Sequence, residues 1–225
     1  MAPQSEIEIL IRAKYPILYI VSWEERRVEE ALGKVCQGLN RKLHTWSITQ
    51  GIKPALPTGG ASKTTLPGEL EILAQVHEAP EYTAFLLRDF HPYMKDVRVI
   101  RLLRDLGLRL RGRAQTLVLM GPSLNLPMEL EKVVTVVDFG LPSTQEIEKT
   151  LDLAIQAVQG NEKVDTKMEP LERELLVKSA QGLTLDEVES VFARSLVEKK
   201  RFDLEVVLDE KKQIMAAVRG SRGMV

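Results

Sequence analysis

Between Leu56 and Thr65 the chain reads LPTGGASKTT: two glycines, then Ser62, Lys63, Thr64 and Thr65. Glycine-rich backbone, a lysine and adjacent hydroxyls are the parts of a loop that wraps phosphate. The spacing does not match. In G-x-x-x-x-G-K-[ST] the first glycine would fall on Pro57 and the second on Ser62. The segment also follows the second predicted strand, whereas that loop belongs between the first strand and its helix. Three readings stand for it: a surface loop leading into a helix, a loop that contacts a partner through Lys63, and a phosphate cradle.

The position where phosphate should sit is earlier. The first apolar run, YPILYIVS, passes directly into WEERRVEE, and no Gly or Lys lies between Tyr15 and Ala31. Trp23, Glu24 and Glu25 set bulk and negative charge there. Trp23 reads as a packing residue, and the two acids suit the first turn of a helix. Asp89 lies at the end of the run AFLLRDF as a strand-end acid. Phe90 follows it, so a nearby water has no obvious base. Ser123 and Asn125 stand just past the run TLVLMG. His44, His77 and His91 are scattered without metal-ligand spacing, and no metal is expected.

Six arginines fall in the interval from Arg98 to Arg113, with Asp105 as the one acid among them. Arg98, Arg101 and Arg104 share one side of a predicted helix. They read either as a solvated face paired with acids from elsewhere or as a docking surface for an acidic partner. Nucleic acid is not expected, because no aromatic residues are interleaved for stacking and the chain is close to neutral.

The bulk numbers agree. Lys+Arg 31 against Asp+Glu 32 leaves a formal charge of -1 over 225 residues. The 44% hydrophobic and 28% charged fractions suit a globular protein with a sizeable core. No apolar run approaches the roughly 18 residues needed to span a bilayer, so no membrane is expected. The start reads as no signal peptide, and the single Cys36 suits a reducing compartment.

The elements that position these residues follow from periodicity. A short opening helix precedes strands predicted at 15–22, 43–49, 83–90, 115–121 and 132–140, with helices at 24–39, from Pro67 to about Ala79, and at 95–106, ending near Gly107. Residues 50–66 read as loop. Alternation of strand and helix predicts α/β architecture, with a five-stranded parallel sheet covered by helices. From Ser143 the pattern is helix only: Ser143 with Glu146 makes a capping box, Pro170 and Thr184 open two more helices, and Asp203 caps a fourth to about Val218. This divides the chain into an α/β core at 1–142, a small helical lid at 143–218 and a linker at 219–225.

A five-stranded α/β core followed by a four-helix lid resembles the AAA+ ATPase module. AFLLRDF resembles its Walker B strand, TLVLMGPSLNLP its sensor-1 strand, and VVDFGLPSTQEIEKTL its passage from the last strand into the lid. YIVSWEE, LRDFHPYM, VRVIRLLRDLGLRLRGRAQTLVLMGPS and GLTLDEVESVF are similar to the amino-terminal half of the plastid- and cyanobacterium-encoded AAA-domain family. The resemblance covers nearly the whole chain. It implies a degenerate module, with Asp89 a vestigial Walker B acid and Ser123 and Asn125 vestigial sensor-1 residues. The interval GPSLNLPMELEKVV, which in such ATPases supplies an arginine finger to the neighbouring subunit, has Lys132 as its one cation. The resemblance further implies no catalytic residues and no cofactor in this chain, with ATP and magnesium held by a second AAA+ module that VRGSRGMV approaches. It also implies a regulatory or assembly role in a larger ATPase, a homo-oligomeric ring, and a cytoplasmic or plastid-stromal setting in an oxygenic phototroph. An independent protein-binding module, using the 98–113 helix and the 51–66 loop, and a self-sufficient NTPase are the alternatives.

Overall fold

The computed structural model describes residues 3–55, 66–161 and 163–222. The chain divides into two compact units, Met1–Gly140 and Leu141–Val225. Lys63 and the whole LPTGGASKTT segment lie outside the described residues.

The first unit is built on runs that are apolar on both faces, as strands covered on both sides must be. Its elements are α1 (Pro3–Arg12), β1 (Ile17–Val21), α2 (Glu25–Gly38), β2 (Lys42–Ser47), β3 (Gly51–Pro54), α3 (Glu69–Glu78), β4 (Thr83–Arg88), α4 (Val97–Arg109), β5 (Thr116–Gly121) and β6 (Val134–Asp138). Short 3₁₀ turns at His91–Lys95 and Met128–Leu130 lie in the connections. The sheet order is β3-β2-β4-β5-β1-β6. Side chains alternate along β1: Ile17 and Tyr19 join the core beneath α3 and α4, and Leu18 and Ile20 join the core with α1 and α2.

The five expected parallel strands are present, and a sixth strand is added to them. β3, read as loop from its Gly and Pro content, pairs antiparallel with β2 from Ser47↔Gly51 to His44↔Pro54. Ile52 packs against the core at this edge, opposite Trp46. Burial of one apolar residue and four ladder positions outweighs the weak strand propensity of glycine and proline, and proline is tolerated at an edge.

Two helix boundaries also differ from expectation. α3 begins at Glu69 with Gly68 as its cap, not at Pro67. The Pro67 carbonyl instead accepts the Trp46 indole N–H at 3.0 Å, which buries the indole with its donor satisfied. α4 runs through Gly107 to Arg109. Gly107 is not a stop; a Cβ there would collide with Val133 Cγ1, so the glycine admits the segment leading into β6 against the helix.

The second unit holds α5 (Thr144–Ala157), α6 (Pro170–Ala180), α7 (Leu185–Lys199) and α8 (Leu204–Arg222). Ile147, Leu151, Leu176, Val188, Phe192 and Val207 form its core, with Phe192 and Phe202 edge to face at 5.8 Å. Ser143 and Thr184 each accept a backbone N–H three residues on, from Glu146 and Glu187, and each acid returns a carboxylate to the cap backbone. Asp203 accepts from the Glu205 and Val206 amides. The Lys211 ammonium donates to the Ser179 and Gln181 carbonyls at the end of α6, where a cation suits the helix dipole. Among the described residues no helix is long and apolar enough to cross a membrane.

Two outcomes follow. Ser143→Ala removes an exposed cap and should cost about 1 kcal/mol in urea denaturation. Cys36 is buried in the α2 core, and burial pushes its thiol up to about 11. A thiolate-directed reagent at mildly alkaline pH should therefore leave Cys36 unmodified in the folded chain and label it fully in urea.

Candidate functional site

The carboxyl ends of β4, β5, β1 and β6 lie side by side, and they carry the residues that the sequence singled out. Val21 pairs with Gly121 on one side and Asp138 on the other, and Arg88 pairs with Met120. Segments 22–25, 88–91, 121–125 and 138–140 therefore emerge along one edge.

After β1 the chain turns tightly. The Ser22 amide donates to the Gly121 carbonyl at 3.0 Å, and the Ser22 hydroxyl accepts the Glu24 amide at 3.1 Å. Glu24 is 5% exposed and Arg27, one turn on, is 7% exposed. Arg27 Nη1 donates to Glu24 Oε2 at 2.8 Å and to the Gly140 carbonyl at 2.7 Å. Its guanidinium lies over the Phe139 ring, 4.7 Å from the centroid. A carboxylate and a guanidinium thus fill the first turn of α2, where a P-loop would present backbone N–H groups to phosphate. The expectation that Glu24 merely suits a helix start falls short, because the acid is half of an internal ion pair. The partner Arg27 was not singled out from sequence; its signal was the i, i+3 spacing from Glu24.

Trp23 is corrected outright. It is 75% exposed, because the inward places at this turn are taken by Ser22 and Glu24 and the tryptophan is left facing solvent. Glu25 and Glu29 both approach Arg88, at 3.3 and 3.6 Å from Nη1, and Arg88 Nη2 donates to Gln50 at 3.0 Å. Arg88 thereby ties α2 to the turn after β2.

Asp89 is exposed at the end of β4 with φ 50, a left-handed conformation that aspartate tolerates better than most residues. Phe90, which the resemblance sets where a catalytic acid is expected, is fully buried. Its ring packs edge-on to Trp46 at 5.7 Å and tilted against Tyr93 at 5.6 Å. Phe90 is therefore a core residue.

The sensor-1 candidates belong to a small polar cluster that includes Tyr19. Tyr19 Oη donates to the Ser123 carbonyl at 2.6 Å, and Asn125 Nδ2 donates to the Ser123 hydroxyl at 3.0 Å. Burial, and then the Asp89 carboxylate, push the Tyr19 phenol up. Gly121 makes this cluster possible: a Cβ there would lie 2.7 Å from His91 Nδ1 and 3.0 Å from Tyr19 Oη. The structure thus brings Asp89, Ser123 and Asn125 to one edge, and adds Tyr19 and His91, which sequence reading gave no site role. Among the described residues no group of three or more His, Cys, Asp and Glu could hold a metal ion.

The arginine cluster lies elsewhere, on α4 and just past it, and much of it is engaged locally. Arg98 grips Asp96, Arg101 pairs with Asp105, and Arg113 pairs with Glu81 at 3.1 Å. Asp96 also caps α4 through the Arg98 amide at 2.8 Å. Asp96 and Glu81 lie outside the interval in which Asp105 was the one acid, so their pairing was not legible there. Arg104 is exposed on the same helix.

The buried pair yields a measurable outcome. Arg27→Met removes the guanidinium from a buried carboxylate and should cost about 3–5 kcal/mol in urea denaturation. Adding Glu24→Gln should recover part of that loss; a double variant as unstable as the sum of the singles would contradict the pairing.

Comparison with known proteins agrees with this architecture. The model of the SpoVK-like AAA ATPase N-terminal domain matches residues 3–139, and that of the second domain of the same family matches residues 145–217. The chain is 31% identical over 216 residues to the AAA domain-containing protein ycf46 of Guillardia theta, covering 94% of this chain and 41% of that protein. It is 29% identical over 216 residues to the ycf46 protein of Trieres chinensis, covering 94% of this chain and 42% of that protein. The chain thus spans less than half the length of these curated relatives. Among solved structures, the Thermotoga maritima RuvB Holliday junction branch migration motor matches with a TM-score of 0.55 at 13% identity, over 93% of this chain and 67% of that one. Caenorhabditis elegans PCH-2 matches with a TM-score of 0.57 at 12% identity, over 95% and 68%. Likeness at that identity establishes the fold alone: an AAA+ α/β sheet with a C-terminal helical subdomain. With both of its units matched in order, the chain belongs to the SpoVK-like AAA ATPase family.

Proposed function

We propose that this chain is a non-hydrolysing AAA+ module that serves as a regulatory or assembly domain of a longer ATPase. The observation that carries the reading is the buried Glu24–Arg27 pair at the turn after β1. Phosphate held there would meet a carboxylate within the turn, and the guanidinium that could answer it is already engaged with Glu24, the Gly140 carbonyl and the Phe139 ring. Phe90 supports the same reading, since a buried ring cannot orient or deprotonate an attacking water.

In this reading ATP and magnesium belong to a second AAA+ module of a longer protein, consistent with the greater length of the ycf46 relatives. The chain packs against that module, enters a homo-oligomeric ring, and transmits or resists motion driven by nucleotide turnover elsewhere. The relatives come from plastid-bearing algae, which favours a plastid-stromal or cyanobacterial cytoplasmic setting.

Calorimetry of the chain with ATP and magnesium tests the reading. No heat of binding is expected at millimolar nucleotide. Binding that Lys63→Ala abolishes would overturn it and reinstate a phosphate cradle at LPTGGASKTT.

A further inference from the structure

The proposed role leaves one feature of the carboxyl edge without a purpose. Trp23 is 75% exposed and Leu124 is 50% exposed. They follow adjacent strand ends: Val21 pairs with Gly121, and the Ser22 amide donates to the Gly121 carbonyl, so the two strands leave the sheet side by side. Asp89 stands next along the edge, since Arg88 pairs with Met120 and the Asp89 charge reaches the Tyr19 phenol that is bonded to Ser123. An exposed tryptophan of this kind is the side chain most enriched at the energetic centres of protein interfaces.

The charge around it selects the partner. Glu24, Glu25, Glu29, Asp89 and Asp138 cluster at this edge with Arg26, Arg27 and Arg88. Glu24 is matched by Arg27, and Glu25 and Glu29 share Arg88. Asp89 and Asp138 are exposed and have no ion pair among the described residues. Carboxylates exceed guanidiniums, so the edge attracts cations and repels phosphate. A guanidinium is the group that satisfies both features at once, stacking on the indole face and bonding a carboxylate through its fork.

We infer that the carboxyl edge at Trp23, Leu124 and Asp89 is a docking surface for a basic protein segment, one that lays an arginine on Trp23 and an apolar side chain on Leu124. The inference rests on the reading that this edge binds no nucleotide, and it names the partner chemistry that replaces it.

The test is calorimetry of the chain with a synthetic peptide of alternating arginine and leucine, against a matching glutamate–leucine peptide. The basic peptide should bind, and more weakly as salt is raised. Trp23→Ala should weaken it by about tenfold or more, and Asp89→Asn, which keeps a residue that tolerates the left-handed backbone, should weaken it several-fold. Both positions are exposed, and circular dichroism checks that each variant folds. Unchanged affinity in Trp23→Ala, or equal binding of the acidic peptide, would overturn the inference. So would a dimer of the chain, seen by sedimentation and dissolved by Trp23→Ala, because it would assign the edge to a second copy. If the peptide fails while ATP with magnesium is also inert, the inference alone falls; if ATP binds and displaces the peptide, the functional reading falls first.

Discussion

The Arg27 guanidinium is the group on which the carboxyl edge of the α/β unit depends. It meets the Glu24 carboxylate, the Gly140 carbonyl and the Phe139 ring, joining the start of α2 to the end of β6. Both ions are nearly buried, so each has lost its water, and the geometry has to compensate for that loss. Such a pair is weak evidence for extra stability. Its consequence is local: the turn after β1 is closed by side chains of the chain itself. An ATPase leaves that turn open to phosphate, because backbone N–H groups there must face a ligand.

The neighbouring strand ends follow the same logic. After β4, Phe90 joins Trp46 and Tyr93 in an aromatic cluster under the edge. At β5 the polar residues bond one another and Tyr19. These groups bond one another within the chain, while Trp23, Leu124 and Asp89 face solvent beside them. The fold keeps its rigid frame through packing on both faces of the sheet, which does not require the site.

The parallel strands and the lid caps were legible because they rest on local signals. Uninterrupted apolar runs such as TLVLM and paired signatures such as Ser143 with Glu146 have few competing solutions. β3 was hidden because GIKP has poor strand propensity, and its pairing with β2 is decided by burial of Ile52, a tertiary matter. Pro67 was read as a helix start, whereas its carbonyl is claimed by Trp46 twenty-one residues earlier. At the site, the missing glycines and lysine between Tyr15 and Ala31 gave the negative result from sequence. The positive one, that Glu24 and Arg27 bury each other and expel Trp23, required knowing which face of the turn points inward. Arg98 and Arg101 looked like a surplus of charge because Asp96 lies just outside the interval that was read and Asp105 was counted as a sequence neighbour and not as an ion pair.

The most direct test of the closed turn is amide hydrogen exchange across residues 22–28, with and without saturating ATP and magnesium. The account predicts identical protection in both conditions, because the Ser22 and Glu24 amides and the Arg27 guanidinium are already bonded within the chain. New protection of these amides on adding nucleotide would show that phosphate enters the turn, and would contradict the account.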